Sequence, residues 1–75
     1  MEPVEKSFGD IVRRRRQKLG LSQEEFAARA GIHRTYISSI ELGKVQVSIR
    51  IAQQLASALK VPLSRIWLDI ENART

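Results

Sequence analysis

The sequence predicts an all-α domain built from five short helices. Apolar residues recur at helical spacing in successive segments, and glycine, proline or capping residues separate one segment from the next. No segment shows the alternation of apolar and polar residues that is typical of a half-buried strand. The 75 residues suffice for one domain, near the lower limit of size for a self-sufficient hydrophobic core.

The composition favours a polyanionic partner and excludes several kinds of site. Thirteen Lys and Arg against eight Asp and Glu give a net charge of +5, which suits DNA because neutralised phosphates release counterions. The chain has no cysteine, and no other ligand residue lies at metal-binding spacing from its single histidine, His33, so we expect no metal or other cofactor. No apolar run approaches the ~20 residues that span a bilayer, so we expect a cytoplasmic protein without a membrane partner. An enzyme is not expected either, because no paired carboxylates, activated nucleophile or phosphate-binding glycine loop is evident.

The first predicted helix carries a run of arginines. We expect residues 1–6 to form an arm that Pro3 keeps from being helical, and Ser7 with Asp10 to cap helix 1, which ends at Gly20. Successive side chains point about 100° apart, so the run at 13–16 cannot be uniformly exposed. The exposed members form either a solvated basic face or a phosphate contact, for which Arg13 is the candidate.

Two short helices separated by a tight turn follow, in the segment LSQEEFAARAGIHRTYISSIELG. Ser22 and Glu25 have the spacing of a capping box at the start of helix 2, and Gly31 suits a turn that needs positive φ. Helix 3 is predicted over 33–42. One of its sides is mainly apolar, whereas the other is polar and presents Arg34, Thr35, Ser38, Ser39 and Leu42. Such a helix is suited to reading the hydrogen-bonding edges of DNA bases.

The last two predicted helices complete the domain, with boundaries at 7–70 and a frayed tail at 71–75. Ser48 caps helix 4, whose apolar stripe begins with Ile49 and is expected to pack against helix 1. Ile51 lies outside that stripe, as either a singly exposed residue or part of a partner surface. Helix 5 is unusually apolar for its length, which predicts a homodimer interface; the alternative is that Ile66 and Trp67 complete the core of one subunit and only Leu68 or Ile70 remains outside. The residues concerned are Ile66, Trp67, Leu68 and Ile70.

The pattern from Leu21 to Gly43 resembles the helix-turn-helix family of phage lambda-type repressors and Cro. Residues 21–25 fit that pattern together with a set of small and apolar residues and one acid: Ala27, Gly31, Ile37, Ile40, Glu41 and Gly43. The resemblance covers about residues 8–67 and implies a compact five-helix lambda-repressor-like DNA-binding domain. Residues 33–38 resemble the recognition helix of controller proteins of restriction–modification systems, which are small dimeric regulators.

The resemblance also implies roles for individual residues. Arg34, Thr35 and Ser39 correspond to positions that reach base edges, and Ser38 lies on the same face. Gln23 and Lys44 correspond to positions that touch phosphate, and Arg16 and Glu41 to a salt bridge between helix 1 and helix 3. Tyr36 either packs against the core with its polar tip outside or contacts the DNA backbone. The chain departs from the family at a few positions, namely Arg15 in place of Leu, Lys60 in place of Gly, and Val45 and Gln46 in the loop.

These interpretations predict a sequence-specific transcription regulator, acting as repressor, activator or both, that binds a pseudo-palindromic operator in double-stranded DNA as a dimer. The expected location is the cytoplasm of a bacterial or phage-infected cell, at the nucleoid, and activation would add contact with RNA polymerase. The alternative is an antitoxin-type protein that binds a toxin and represses its own operon. Few residues follow helix 5, which leaves little surface for a toxin.

Overall fold

The computed structural model describes residues 2–74 and divides them into five helices. They are α1 (Val4–Lys18), α2 (Gln23–Ala30), α3 (Arg34–Glu41), α4 (Ile49–Ala58) and α5 (Leu63–Arg74). No strand occurs in this part of the chain, and the all-α prediction is confirmed. Met1 and Thr75, at the ends of the predicted arm and tail, lie outside the described residues.

The helices form a closed ring around one core. α3 packs against α1 and α2, α4 packs against α2 and α5, and α5 returns to α1. Helix 4 was predicted to pack against helix 1, but its main neighbours are α2 and α5, and it is α5 that lies along α1. The fully buried side chains at the centre come from every helix: Val12, Phe26, Ile37, Ile40, Leu55, Ile66 and Ile70.

The N-terminal prediction is wrong because Pro3 begins a helix rather than preventing one. Pro3 is the N-cap of α1, with φ −58°, and its carbonyl oxygen accepts hydrogen bonds from the backbone N–H groups of Lys6 and Ser7. A proline loses nothing at a helix start, where the backbone N–H has no partner in the helix. Ser7 is consequently a buried residue inside α1 and not its cap.

Two isoleucines at the start of α4 exchange their predicted positions. Ile49 is 83% exposed, whereas Ile51 is half-buried and packs against the core. Ile49 is the first residue of the helix, before the chain has turned onto the core, so helical periodicity misplaces it. Ser48 caps this helix as predicted, since its hydroxyl accepts from the backbone N–H of Ile51 at 3.1 Å.

The structure also corrects the predicted character of α5. Ile66 and Ile70 are only 0% and 1% exposed and belong to the core of one subunit, whereas Trp67 and Leu68 are 46% and 44% exposed. The helix continues to Arg74 instead of fraying after residue 70. Ile70, one turn after Ile66, anchors its second half, and no proline or glycine follows to interrupt it.

Gly9 permits the closest approach between two helices. A Cβ atom at this position would lie 2.9 Å from the carbonyl oxygen of Glu41 and would overlap that of Ile40. The C-terminal end of α3 therefore rests directly on the backbone of α1. Because a glycine in a helix interior costs about 1 kcal/mol relative to alanine, its presence here has a packing reason.

The structure explains two departures from the family pattern, Arg15 and Lys60. Arg15 does not occupy an apolar site, since its Nε donates to Oδ2 of Asp69 at 2.7 Å and joins α1 to α5. Lys60 adopts φ +61° in the turn after α4 and is the one non-glycine residue with positive φ among residues 2–74. A lysine thus adopts the left-handed conformation that favours glycine, the residue that the family pattern has at this position.

Candidate nucleic-acid interface

The turn between α2 and α3 is held from both sides. Gly31 has φ +69°, and the backbone N–H of Ile32 donates to the carbonyl oxygen of Ala27 at 3.0 Å. The side-chain Nε2 of Gln54, on α4, donates to the carbonyl oxygen of Ala30 at 3.0 Å. α4 thereby satisfies a carbonyl that the end of α2 leaves without a helical partner. These contacts fix the angle at which α3 leaves α2.

The start of α2 contains the predicted capping box. The backbone N–H of Glu25 donates to Oγ of Ser22 at 3.0 Å, and the backbone N–H of Ser22 donates to the Glu25 carboxylate at 2.9 Å. That backbone N–H is the main reason that the pKa of Glu25 lies below its ordinary value of 4.5. Arg29, one turn further along the helix, lowers the pKa of Glu25 less.

α3 is fastened by its apolar side. Ile37 and Ile40 are fully buried, and Tyr36 is half-buried with its ring packed against the core. The Tyr36 contact agrees with the packing interpretation of this residue. A helix held in this way cannot roll without exposing two buried isoleucines.

The polar side of α3 is open. Arg34 and Thr35 are exposed at its first turn, whereas Ser38 and Ser39 are half-buried further along. His33 is the N-cap, and its Nδ1 accepts from the backbone N–H of Thr35 at 3.3 Å. His33 is therefore a helix-start residue, as the sequence predicts. The four side chains predicted to read bases all belong to this helix and none of them is fully buried.

The charges around this side favour an anion. Between His33 and Lys44 the sequence contains one acidic residue, Glu41, which is 3% exposed and paired with Arg16. The side chain of Lys44 is exposed just after α3. Arg13, the candidate phosphate contact on α1, lies 3.6 Å from the carboxylate of Asp10, which lowers its availability to a phosphate.

One buried network joins the three helices around this site. Nε of Arg16 donates to Oε2 of Glu41 at 2.7 Å, and Nη2 donates to Oε1 at 3.0 Å. Nη1 of Arg16 donates to the carbonyl oxygen of Leu21 at 2.8 Å. Nε2 of Gln23 also donates to Oε1 of Glu41, at 3.1 Å. The predicted salt bridge is present, and Gln23 belongs to the same network.

Sequence reasoning missed two residues that position α3. Gln54 looks like an exposed polar residue of helix 4, and only the fold brings it to the end of α2. Gly9 carried a signal that could have found it, because an isolated glycine within a helical pattern indicates close packing or a functional constraint.

Other kinds of site find no support in the described part of the chain. No three His, Cys, Asp or Glu side chains among residues 2–74 are grouped so that they could hold a metal ion. None of the five helices has both the length and the apolar character required to cross a membrane.

Known proteins are similar to this chain in sequence. The helix-turn-helix family model matches residues 12–66. The control protein C.MunI from Mycoplasma sp. is 40% identical over 72 residues, which are 95% of this chain and 97% of that protein. The control protein C.BamHI from Bacillus amyloliquefaciens is 44% identical over 55 residues, which are 72% of this chain and 68% of that protein.

A solved structure gives the same result in three dimensions. The restriction-modification controller protein C.AhdI from Aeromonas hydrophila superimposes with a TM-score of 0.81 and 34% identity, over 83% of this chain and 94% of that chain. These relatives are named for control functions and not for enzymatic ones, in line with the sequence prediction. The chain belongs to the helix-turn-helix family.

Proposed function

We propose that this protein is a sequence-specific regulator of transcription that binds double-stranded DNA through α3. The observation that carries the proposal is the state of that helix: its apolar side is buried, its two ends are fixed, and its polar side is open. The major groove of DNA admits one α-helix and presents a distinct pattern of donors and acceptors for each base pair.

Within this proposal different residues of α3 contact different groups on the bases. The planar guanidinium of Arg34 suits O6 and N7 of guanine, and Thr35 offers a hydroxyl together with a methyl group for thymine. Ser38 and Ser39 lie deeper on the same helix and supply short hydroxyl contacts. Because Arg34 and Thr35 are the exposed pair at the leading end of α3, they carry most of the specificity.

The flanking positions hold the DNA backbone. Lys44 provides an exposed positive charge just beyond α3, and Gln23 lies at the first position of α2, where a helix N-terminus favours phosphate. Tyr36 adds its hydroxyl at the edge of the polar side. Arg13 contributes only if the phosphate displaces its contact with Asp10. These contacts position α3 without distinguishing one base from another.

The regulator acts as a homodimer in this proposal. A single α3 reads only a few base pairs, whereas two copies related by a two-fold axis place their helices about 34 Å apart on one face of DNA. Trp67 and Leu68 are the large apolar residues that α5 leaves exposed, and they form the proposed contact between subunits.

The relatives suggest which genes are controlled. C.MunI and C.BamHI are named as control proteins, and C.AhdI as a restriction-modification controller protein. By similarity we assign this chain to the control of a restriction–modification system, at the nucleoid in the cytoplasm. Activation of a promoter would include a contact with RNA polymerase, which transcription from a purified template can detect.

Selection of bound duplexes from random DNA tests the proposal directly. We expect enrichment of two inverted half-sites whose centres lie about 10 base pairs apart, one for each copy of α3. The matched control is the Arg34→Ala variant, for which the motif should become degenerate at one base position in each half-site. Failure of the wild-type protein to enrich any motif would overturn the proposal.

A further inference from the structure

Glu41 occupies a position that stability alone explains poorly. It is the last residue of α3, where the helix dipole is unfavourable to a negative charge, and it is almost completely buried. A buried ion pair such as that with Arg16 is weak evidence for stability, because desolvation of both charges offsets their attraction. The buried position of the Glu41 carboxylate therefore requires a reason other than stability.

That reason lies in the other partner of Glu41. Oε1 of Glu41 accepts from Nη2 of Arg16 at 3.0 Å and from Nε2 of Gln23 at 3.1 Å. Gln23 is half-buried, and the bond to Glu41 is the one hydrogen bond that its side chain makes among the described residues, so that the second N–H of the amide has no partner there. One N–H of this amide thus points to the end of α3, and the other remains for a ligand.

From this geometry we propose that Glu41 is a positioning residue for the phosphate contact of Gln23, an inference that rests on the proposed DNA-binding function. Glu41 fixes the Gln23 side chain before DNA arrives, so that binding does not have to order a flexible glutamine. The fork of Arg16 in turn fixes the carboxylate of Glu41.

The network also sets the distance between two contacts with DNA. Gln23 is on α2 and would bind a phosphate, whereas Glu41 terminates the helix that enters the groove. Because a hydrogen bond joins them, the depth of α3 in the groove depends on where Gln23 binds the DNA backbone. Arg16 extends this link to α1 and, through the carbonyl oxygen of Leu21, to the segment before α2.

The test replaces the ion pair by apolar side chains, because removing one partner alone would leave a buried charge. The variants are Gln23→Ala, the double replacement Arg16→Met with Glu41→Leu, and all three together. Affinity is measured on the selected duplex. We expect Gln23→Ala to weaken binding about tenfold in the wild-type background and less than about threefold in the apolar background. Equal losses in the two backgrounds would overturn the inference.

A second measurement does not depend on DNA. NMR relaxation of the side-chain amide of Gln23 should show restricted motion in the free wild-type protein and greater motion in the apolar double variant. The exposed side chain of Gln17 provides the control and should be mobile in both. If the double variant does not fold, the wild-type measurement decides, since a Gln23 amide as mobile as that of Gln17 contradicts the inference. Failure of the proposed function would instead appear as absence of any selected duplex.

Discussion

Gly9 of α1 lies against the main-chain carbonyl of Ile40 so closely that a methyl group at residue 9 would overlap the oxygen. The two helices can cross at this distance only because residue 9 has no side chain. The carbonyl belongs to the last turn of α3, whose polar side is the proposed reading surface. The position of that surface relative to the rest of the domain therefore depends on a residue that makes no contact with DNA.

Gly9→Ala should destabilise the protein by about 1–3 kcal/mol. Alanine favours the helix by about 1 kcal/mol, but the added methyl group meets backbone atoms that can move only if the helices separate. Chemical denaturation measures the loss of free energy of unfolding. The exposed residue Gln17, on the same helix, is the matched control, and Gln17→Ala should change stability by less than about 0.5 kcal/mol. A Gly9→Ala protein as stable as the control would contradict the close crossing.

The contrast between Gly9 and Gly31 shows how far sequence reasoning reaches here. Gly31 stands between two helical patterns, and its turn follows from local spacing alone. Gly9 stands inside a pattern, and its partner at Ile40 is 31 positions away in the chain. Local spacing likewise predicted the cap at Ser48, whereas the contact of Gln54 with the end of α2 required the fold.

The same distinction applies to α5 and to the candidate site. The sequence predicted an apolar helix but could not divide its residues between the core and a partner. Which of Ile66 and Trp67 is buried depends on how α5 is oriented against α1, and the sequence does not give that orientation. The polar side of α3 was predictable because it needs only helical periodicity. The link from Gln23 to Glu41 was not, because it depends on side-chain conformations across two helices.

Lys60→Gly should stabilise the protein. Lysine at φ +61° carries a steric cost of about 1–2 kcal/mol, which glycine does not have, although glycine loses more backbone entropy on folding. We expect a net gain of about 0.5–1 kcal/mol in the free energy of unfolding. Lys60→Ala removes the charge and keeps the strain, so it should remain within about 0.5 kcal/mol of wild type. A gain shared by both variants would point to the charge instead of the backbone.

Glu25 should contribute to the dependence of stability on pH. Its pKa is lowered in the folded protein, chiefly by the backbone N–H of Ser22, so its contribution is complete above the ordinary value of 4.5. That contribution is lost as the pH falls through the lowered pKa. The difference in melting temperature between wild type and Glu25→Gln should therefore shrink between about pH 7 and about pH 3. A constant difference over that range would show that the capping carboxylate does not titrate as described.

Leu68 and Ile70 should respond to substitution in opposite ways. Leu68→Asp leaves the core intact and should shift the protein toward monomer in sedimentation velocity, with little loss of monomer stability. Ile70→Ala removes a buried side chain and should cost about 2–5 kcal/mol of stability. Trp67, the single tryptophan, provides a second measurement, since its emission should change with protein concentration only where dimers form. An unchanged dimer in Leu68→Asp would move the interface away from α5.

Arg34 and Lys44 should separate base reading from phosphate binding. Arg34→Ala should cost about 1–3 kcal/mol on the selected operator and little on random DNA, because the guanidinium distinguishes guanine from other bases.

Lys44→Ala should weaken binding to both kinds of DNA alike and reduce the slope of log affinity against log salt by about 1, because it removes one phosphate contact. Titrations of both variants at several salt concentrations, on operator and random duplexes, make the comparison. Equal losses from the two substitutions on both duplexes would mean that Arg34 contacts the backbone. Base reading would then have to rest on Thr35 and the two serines behind it on α3.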